Sequence, residues 1–169
     1  MKIKTREITR AAVLAAMYVV LTVLQNVLLP GSTSMAIQFR LSEALCVFAL
    51  FSPSAIVGLS VGCLLFNLTY SQALPLDALV GTSATVLATM AMYRLRSVRV
   101  FKLPLPALLM PAAFNALLVG WELTVYIGNT FWLNALYVAI GEAAVLLTLG
   151  SVLYFALSGK RLRRVIFGE

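Results

Sequence analysis

"IQFRLSEALCVFALF", residues 37–51, decides how many times this chain crosses a bilayer. It is apolar except near its front, where Arg40, Ser42 and Glu43 stand. A spanning helix needs about 20 apolar residues, with a range of about 17–25. The fifteen residues here barely span, which makes this the shortest of the expected crossings and leaves a tilted or partly re-entrant course open. Two ionisable groups in a segment bound for hydrocarbon are costly. A salt bridge, a helix cap or a ligand must justify them.

The rest of the chain sets the context for that stretch. It has 169 residues, of which 62% are hydrophobic and 11% charged, with a mean hydropathy of +0.98. A soluble domain is about 45–50% apolar and about 25% charged. The surplus exceeds what one buried core can hold, so the class is a polytopic, all-α integral membrane protein. One domain over residues 1–169 is expected. Six segments have the length and composition of membrane helices, or nearly so: 8–29, 37–51, 54–71, 75–93, 103–125 and 131–158. Turn chemistry separates them: Pro30-Gly31-Ser32, Ser52-Pro53, Gln72 to Pro75, a basic loop ending at Pro104, and Gly128-Asn129. The basic, then apolar, N-terminus resembles a signal peptide. However, the run from Ile8 to Leu29 is longer than a signal h-region and lacks a clear cleavage site, so a retained helix is expected.

Charge orients the bundle. The net charge is +7, from 13 Lys and Arg against 6 Asp and Glu. Twelve of the thirteen cations fall in three places: Lys2 to Arg10, Arg94 to Lys102, and Lys160 to Arg164. Short basic flanks mark the cytoplasmic side. Six crossings with both termini cytoplasmic place all three clusters inside, whereas five or seven would leave the basic tail outside. Nucleic acid is thereby displaced as the partner of the positive charge, and the lipid bilayer takes its place. Arg40 alone lies elsewhere.

On this topology the polar residues gather in the outer half. Arg40 and Glu43 lie in the first turns of helix 2, Asn67 near the outer end of helix 3, and Asp77 at the start of helix 4. Glu122 closes helix 5, with Asn115 about two turns below it. Glu142 is deepest, eleven residues into helix 6 and so about 16 Å from its start. Intramembrane ionisable residues face a cavity or one another, and an outward-facing polar pocket is expected. Each residue also has a plainer reading. Asp77 follows Pro75 at a helix start, where a carboxylate is favourable by default. Arg40 and Glu43 form an i,i+3 pair that could neutralise itself. Glu122 opposes the helix dipole near a C-terminus, which an exposed interfacial position would permit. Glu142 is the hardest to explain structurally, because a lone carboxylate at that depth costs several kcal/mol. With four carboxylates against one arginine, either some are protonated or a ligand brings positive charge and hydrogen-bond donors, as a cationic amine or a guanine-like ring edge would. Trp121, beside Glu122, is the candidate stacking residue, although an interfacial aromatic belt also explains the aromatics at this end.

Small residues form a second pattern. "RAAVLAAM", residues 10–17, repeats Ala11 with Ala15 and Ala12 with Ala16, and Gly58 and Gly62 repeat the spacing in helix 3. Such stripes let helices approach closely, either within the bundle or against a partner protein. Cys46 and Cys63 read as buried apolar residues rather than a redox pair. There is no histidine and no metal-spaced ligand cluster, so no metal or cofactor is expected. No nucleophile constellation supports an intramembrane enzyme. No internal repeat of the kind many secondary transporters carry is visible, which weighs against a stand-alone proton-coupled carrier titrating at Glu142.

At these residues a family resemblance enters. "IQFRLSEALCVF", "GLSVGCLLFN", "DALVGTSATVLAT", "FNALLVG" and "FWLNALYVAIGEA" resemble the QueT family over about residues 8–158. The family comprises substrate-binding S components of energy-coupling-factor (ECF) type ABC importers, assigned to queuosine precursors. The resemblance implies six helices, an outward-open site, no ATPase in the chain, and a shared module of one transmembrane coupling protein and two ATPases. It implies docking of the coupling protein on the helix 1 stripe, matched here by Ala11, Ala12, Ala15 and Ala16. It implies a 7-deazaguanine substrate such as preQ1 or preQ0, with Glu142 or Glu43 on the ring edge and Asp77 or Glu122 on the amine. The chain departs from the family pattern at Phe48-Ala49, in "YSQALPLD", and at Trp121-Glu122. Two of these border the outer pocket, which leaves another vitamin such as cobalamin as the alternative substrate.

Overall fold

A computed structural model of the chain describes residues 5–30, 32, 39–70 and 76–167. Among these residues the structure is helical. Its elements are α1 (Thr5–Leu28), a 3-10 helix (Leu41–Leu50), α2 (Ser54–Tyr70), α3 (Leu76–Leu95), a one-turn α4 (Leu105–Leu108) and α5 (Met110–Ile127). Then follow α6 (Phe131–Val145), a π-helical stretch (Leu146–Gly150), α7 (Ser151–Ser158) and α8 (Lys160–Phe167). The expected outer loops 30–36 and 71–75 fall largely or wholly outside the described residues, as do Lys2, Lys4, Ile37, Gln38 and Pro75.

The all-helical class holds, and every break assigned from turn chemistry that the description covers is a break. Four stretches are long and apolar enough to cross a membrane: Thr5–Leu28, Leu76–Leu95, Leu105–Tyr126 and Phe131–Ser158. The apolar stretches Leu41–Leu50 and Ser54–Tyr70 are shorter. Two expected helices are interrupted. The fifth breaks at Leu109, where Pro106 and Pro111 each remove a backbone donor. The sixth changes its winding at a π turn that begins four residues after Glu142. The basic tail, assigned to no element by the sequence, forms α8.

The bundle has two ends, fixed by contacts. At one end Arg6 donates to the Val165 carbonyl at 3.3 Å and Arg10 lies 5.6 Å from the Phe167 ring centroid, so the start of α1 meets α8. At the other end Asn67 of α2 donates to the Asp77 carbonyl of α3 at 2.9 Å. Because α3 starts there, its C-terminus and the basic loop after it return to the end where α1 begins and α8 lies. All described basic clusters therefore share one end, and Arg40 lies apart from them.

The 3-10 helix is the centre of the fold. Eight of its ten residues are buried, Ser42 to Val47, Ala49 and Leu50. It packs against α1, α2, α3, α6 and the π stretch. Ten residues rise about 20 Å as a 3-10 helix but about 15 Å as an α-helix. The tighter winding thus gives a short segment extra reach, and its all-round burial explains why it lacks a lipid-facing stripe. Runs of 3-10 helix beyond 3–4 residues are uncommon, and Ser52-Pro53 ends this one.

Glycines set the closest approaches. A Cβ on Gly58 would lie 2.4 Å from the Ala11 carbonyl oxygen, and one on Gly62 would lie 2.9 Å from the Ala15 carbonyl oxygen. Ala11 and Ala15 are therefore consumed by packing against α2. Ala12 and Ala16 face outward and are exposed. The two interleaved stripes of the sequence serve different surfaces. Gly120 similarly seats α5 on Ala135 of α6, where a Cβ would meet the Ala135 Cα at 2.8 Å.

Candidate functional site

Polar residues that the sequence assigns to the outer half converge around the front of the 3-10 helix. In this winding, residues i and i+3 eclipse. Arg40, Glu43 and Cys46 therefore line one edge. The Glu43 amide donates to the Arg40 carbonyl at 3.0 Å, closing the first turn. The carboxylate of Glu43 turns to other partners. Tyr18 of α1 donates its hydroxyl to Oε1 at 2.9 Å, and the Cys46 thiol donates to Oε2 at 3.2 Å. Glu43 is thus oriented from two sides, and Cys46, expected to be an inert apolar filler, is one of its donors.

Glu142 is held separately. Asn115 Nδ2 lies 2.6 Å from Oε1 and 2.7 Å from Oε2, so one amide donor is shared across the carboxylate. Both side chains are fully buried, Glu142 at 0% and Asn115 at 1% exposure. The π turn that begins at Leu146 lies directly below Glu142, and widened turns of this kind occur frequently at functional sites. Glu43 and Glu142 are close enough for their charges to interact, and Arg40 acts on both.

Asp77 and Glu122 form the second acidic pair. Asp77 lies in the first turn of α3, where the helix dipole favours a carboxylate. Glu122 reaches toward it from α5, within hydrogen-bonding range, and also feels the charge of Arg40. Glu122 is 4% exposed, so an exposed interfacial position does not account for it. The one arginine outside the basic clusters thus lies within electrostatic reach of Glu43, Glu142 and Glu122.

Other expected site residues are placed differently. Asn67 is buried and its amide is bonded to the Asp77 carbonyl and lies 3.6 Å from Cys63 Sγ, so it latches α2 to α3. Trp121 is about half exposed (49%), beside the buried Glu122 but turned outward from the helix packing. Residues not singled out from the sequence also belong to this region. Gln25 of α1 is buried; its Nε2 donates to the Ser32 hydroxyl and the Phe39 carbonyl, and its Oε1 accepts from the Leu41 amide. It fixes the chain entering the 3-10 helix. Tyr18 does the same for Glu43. The available signal for Gln25 was a polar side chain inside an apolar run; Tyr18 carried none, since tyrosines are common in membrane helices.

Several buried polar atoms retain unused hydrogen-bonding capacity among the described residues: Arg40 Nε, Ser42 Oγ, Thr82 Oγ1, Glu122 Oε1 and Asn134 Oδ1. Buried polar groups are nearly always bonded to protein, water or ligand. The carboxylates of Glu43, Glu142 and Glu122 supply acceptor oxygens of the kind that pair with donor-rich, cationic or amidine-like groups. The site holds no group of three or more His, Cys, Asp or Glu side chains suited to a metal among the described residues.

Comparisons with known proteins place the chain. Residues 8–159 match the family model described as QueT transporter. The queuosine precursor transporter QueT of Lactococcus lactis subsp. cremoris (strain MG1363) is 35% identical over 89 residues. That alignment covers 50% of this chain and 48% of that protein, so the similarity spans about half the length of the curated relative. No solved structure matches the chain significantly.

Proposed function

The chain belongs to the QueT transporter family, multi-pass proteins of the membrane, and from that premise we propose that it is the substrate-binding S component of an ECF-type importer for a queuosine precursor. The substrate is a 7-deazaguanine of the preQ1 or preQ0 kind. The observation that carries this reading is the pair of buried, separately oriented carboxylates, Glu43 and Glu142, with Arg40 within electrostatic reach of both. A guanine-like edge offers neighbouring N–H donors that one carboxylate accepts in bidentate fashion. The aminomethyl cation of preQ1 complements the second acidic pair, Asp77 and Glu122.

Six membrane crossings with both termini cytoplasmic accord with the shared basic end and with the positive-inside rule. In this orientation the site opens outward. Energy for uptake comes from a separate module, a membrane coupling protein with two ATPases, which docks on the exposed stripe of α1 at Ala12 and Ala16. Calorimetric titration of the purified chain with preQ1, preQ0, cobalamin and thiamine tests the substrate. Tight binding of a deazaguanine alone supports it; binding of cobalamin or thiamine instead reassigns the substrate, and binding of none refutes the site. Uptake by liposomes containing this chain alone, driven by a pH gradient, would refute the S-component role.

A further inference from the structure

At the basic end a groove of about 440 Å3 lies between the first turns of α1, the end of the 3-10 helix, the start of α2 and α8. That volume falls within the ~300–1,000 Å3 range of small-molecule sites. Its floor is apolar: Leu14, Met17, Phe48, Ile166 and Phe167. Its rim carries Arg6 and Arg10 and, among the described lining residues, no carboxylate. α8 turns Ile166 and Phe167 inward while Lys160, Arg161 and Arg164 stay exposed beside the opening. Arg10 is held by its contact with Phe167, yet its Nε is buried without a hydrogen-bond partner among the described residues.

We propose that this groove binds one anionic phospholipid, an acyl chain lying along the apolar floor and the headgroup phosphate on Arg6 and Arg10. The charge complementarity is local and one-sided, two guanidiniums over hydrocarbon with further cations alongside. The groove opens at the end of the bundle where basic residues meet the bilayer surface, and Lys and Arg there attract anionic lipid. Arginine suits the task because its planar fork binds phosphate through paired donors. This inference is independent of the identity of the transported substrate.

Native mass spectrometry of the delipidated, detergent-purified chain with phosphatidylglycerol or phosphatidylcholine added tests it. The expected result is a single bound phosphatidylglycerol, preferred about tenfold over phosphatidylcholine. Two variants should abolish the preference: Arg6→Gln combined with Arg10→Gln, and Thr9→Phe, which fills the groove without removing charge. Thr9 is exposed and, among the described residues, its hydroxyl bonds the Thr5 carbonyl of its own helix, so Thr9→Phe decides the matter if the arginine variant does not fold. Equal retention of the two lipids overturns the proposal. Full preference in Thr9→Phe also overturns it, because the lipid would then sit on the exposed cations of α8. Displacement by inorganic phosphate alone would assign the arginines to free phosphate, and a purified chain indifferent to lipid would leave the groove to a protein partner.

Discussion

Tyr18 Oη donates a 2.9 Å hydrogen bond to Glu43 Oε1, joining α1 to the 3-10 helix one turn beyond the point where Ala15 packs on Gly62. The same helix therefore forms the close seam with α2, presents Ala12 and Ala16 outward, and orients a carboxylate of the candidate site. Tyr18 is 1% exposed, so the bond is sheltered from competing water. Hydrogen bonds to charged groups contribute about 1.5–3 kcal/mol.

Tyr18→Phe keeps the ring and its packing but removes the donor. Ligand affinity measured by calorimetry is expected to fall about tenfold or more. The folded chain should still purify, since only one oxygen is lost. An unchanged Kd would show that Glu43 needs no orientation from α1.

Asn115→Ala leaves both oxygens of Glu142 buried without their amide donor. Leaving such a group unsatisfied costs about 1–3 kcal/mol, more when it is charged. Thermal unfolding in detergent should show a lower Tm, and adding Glu142→Gln in the same chain should recover part of the loss. Failure of that second change to help would mean that the loss comes from the cavity at Asn115 alone.

Gly62→Leu and Gly58→Val force side chains against the α1 backbone, where even a Cβ has no room. Overpacking of this kind costs about 1–3 kcal/mol or more. Both variants should lose stability in the same thermal assay. Ala12→Val, on the exposed stripe, should stay within about 0.5 kcal/mol of the parent, as surface changes generally do. Equal damage from all three would place Ala12 inside the seam.

Ala12→Trp separates binding from transport. Ligand titration should be unaffected, while uptake by cells carrying the full energising module should be abolished. Simultaneous loss of both activities would count against a docking role for the exposed stripe.

The candidate residues were legible in the sequence as a set, and their wiring to one another was not. Glu43, Glu142, Glu122, Asp77 and Arg40 stood out because ionisable groups are rare in apolar segments, a local property of the sequence. Which of them would pair was not local. The i,i+3 spacing allowed Arg40 to pair with Glu43 as readily as with a ligand; the Glu43 oxygens bond Tyr18 and Cys46, and Arg40 lies within electrostatic reach of three carboxylates. Asn67 read as a ligand contact because it is polar and near one end. It bonds the Asp77 carbonyl because α2 and α3 pack side by side, a fact of assembly.

Taken by itself, the sequence determined the all-helical membrane class, the placement of the breaks and the gathering of cations into three clusters. Those features follow from hydropathy over about twenty residues and from turn chemistry over three or four, so neighbours along the chain suffice. Only the tertiary structure decided that residues 41–50 wind as a buried 3-10 helix, that Ala11 and Ala15 face Gly58 and Gly62 while Ala12 and Ala16 face outward, and that Tyr18, Gln25 and Asn115 position the site. Each depends on which helix lies alongside, and with the lipid and the protein interior both apolar, hydropathy alone does not distinguish the two sides of a membrane helix.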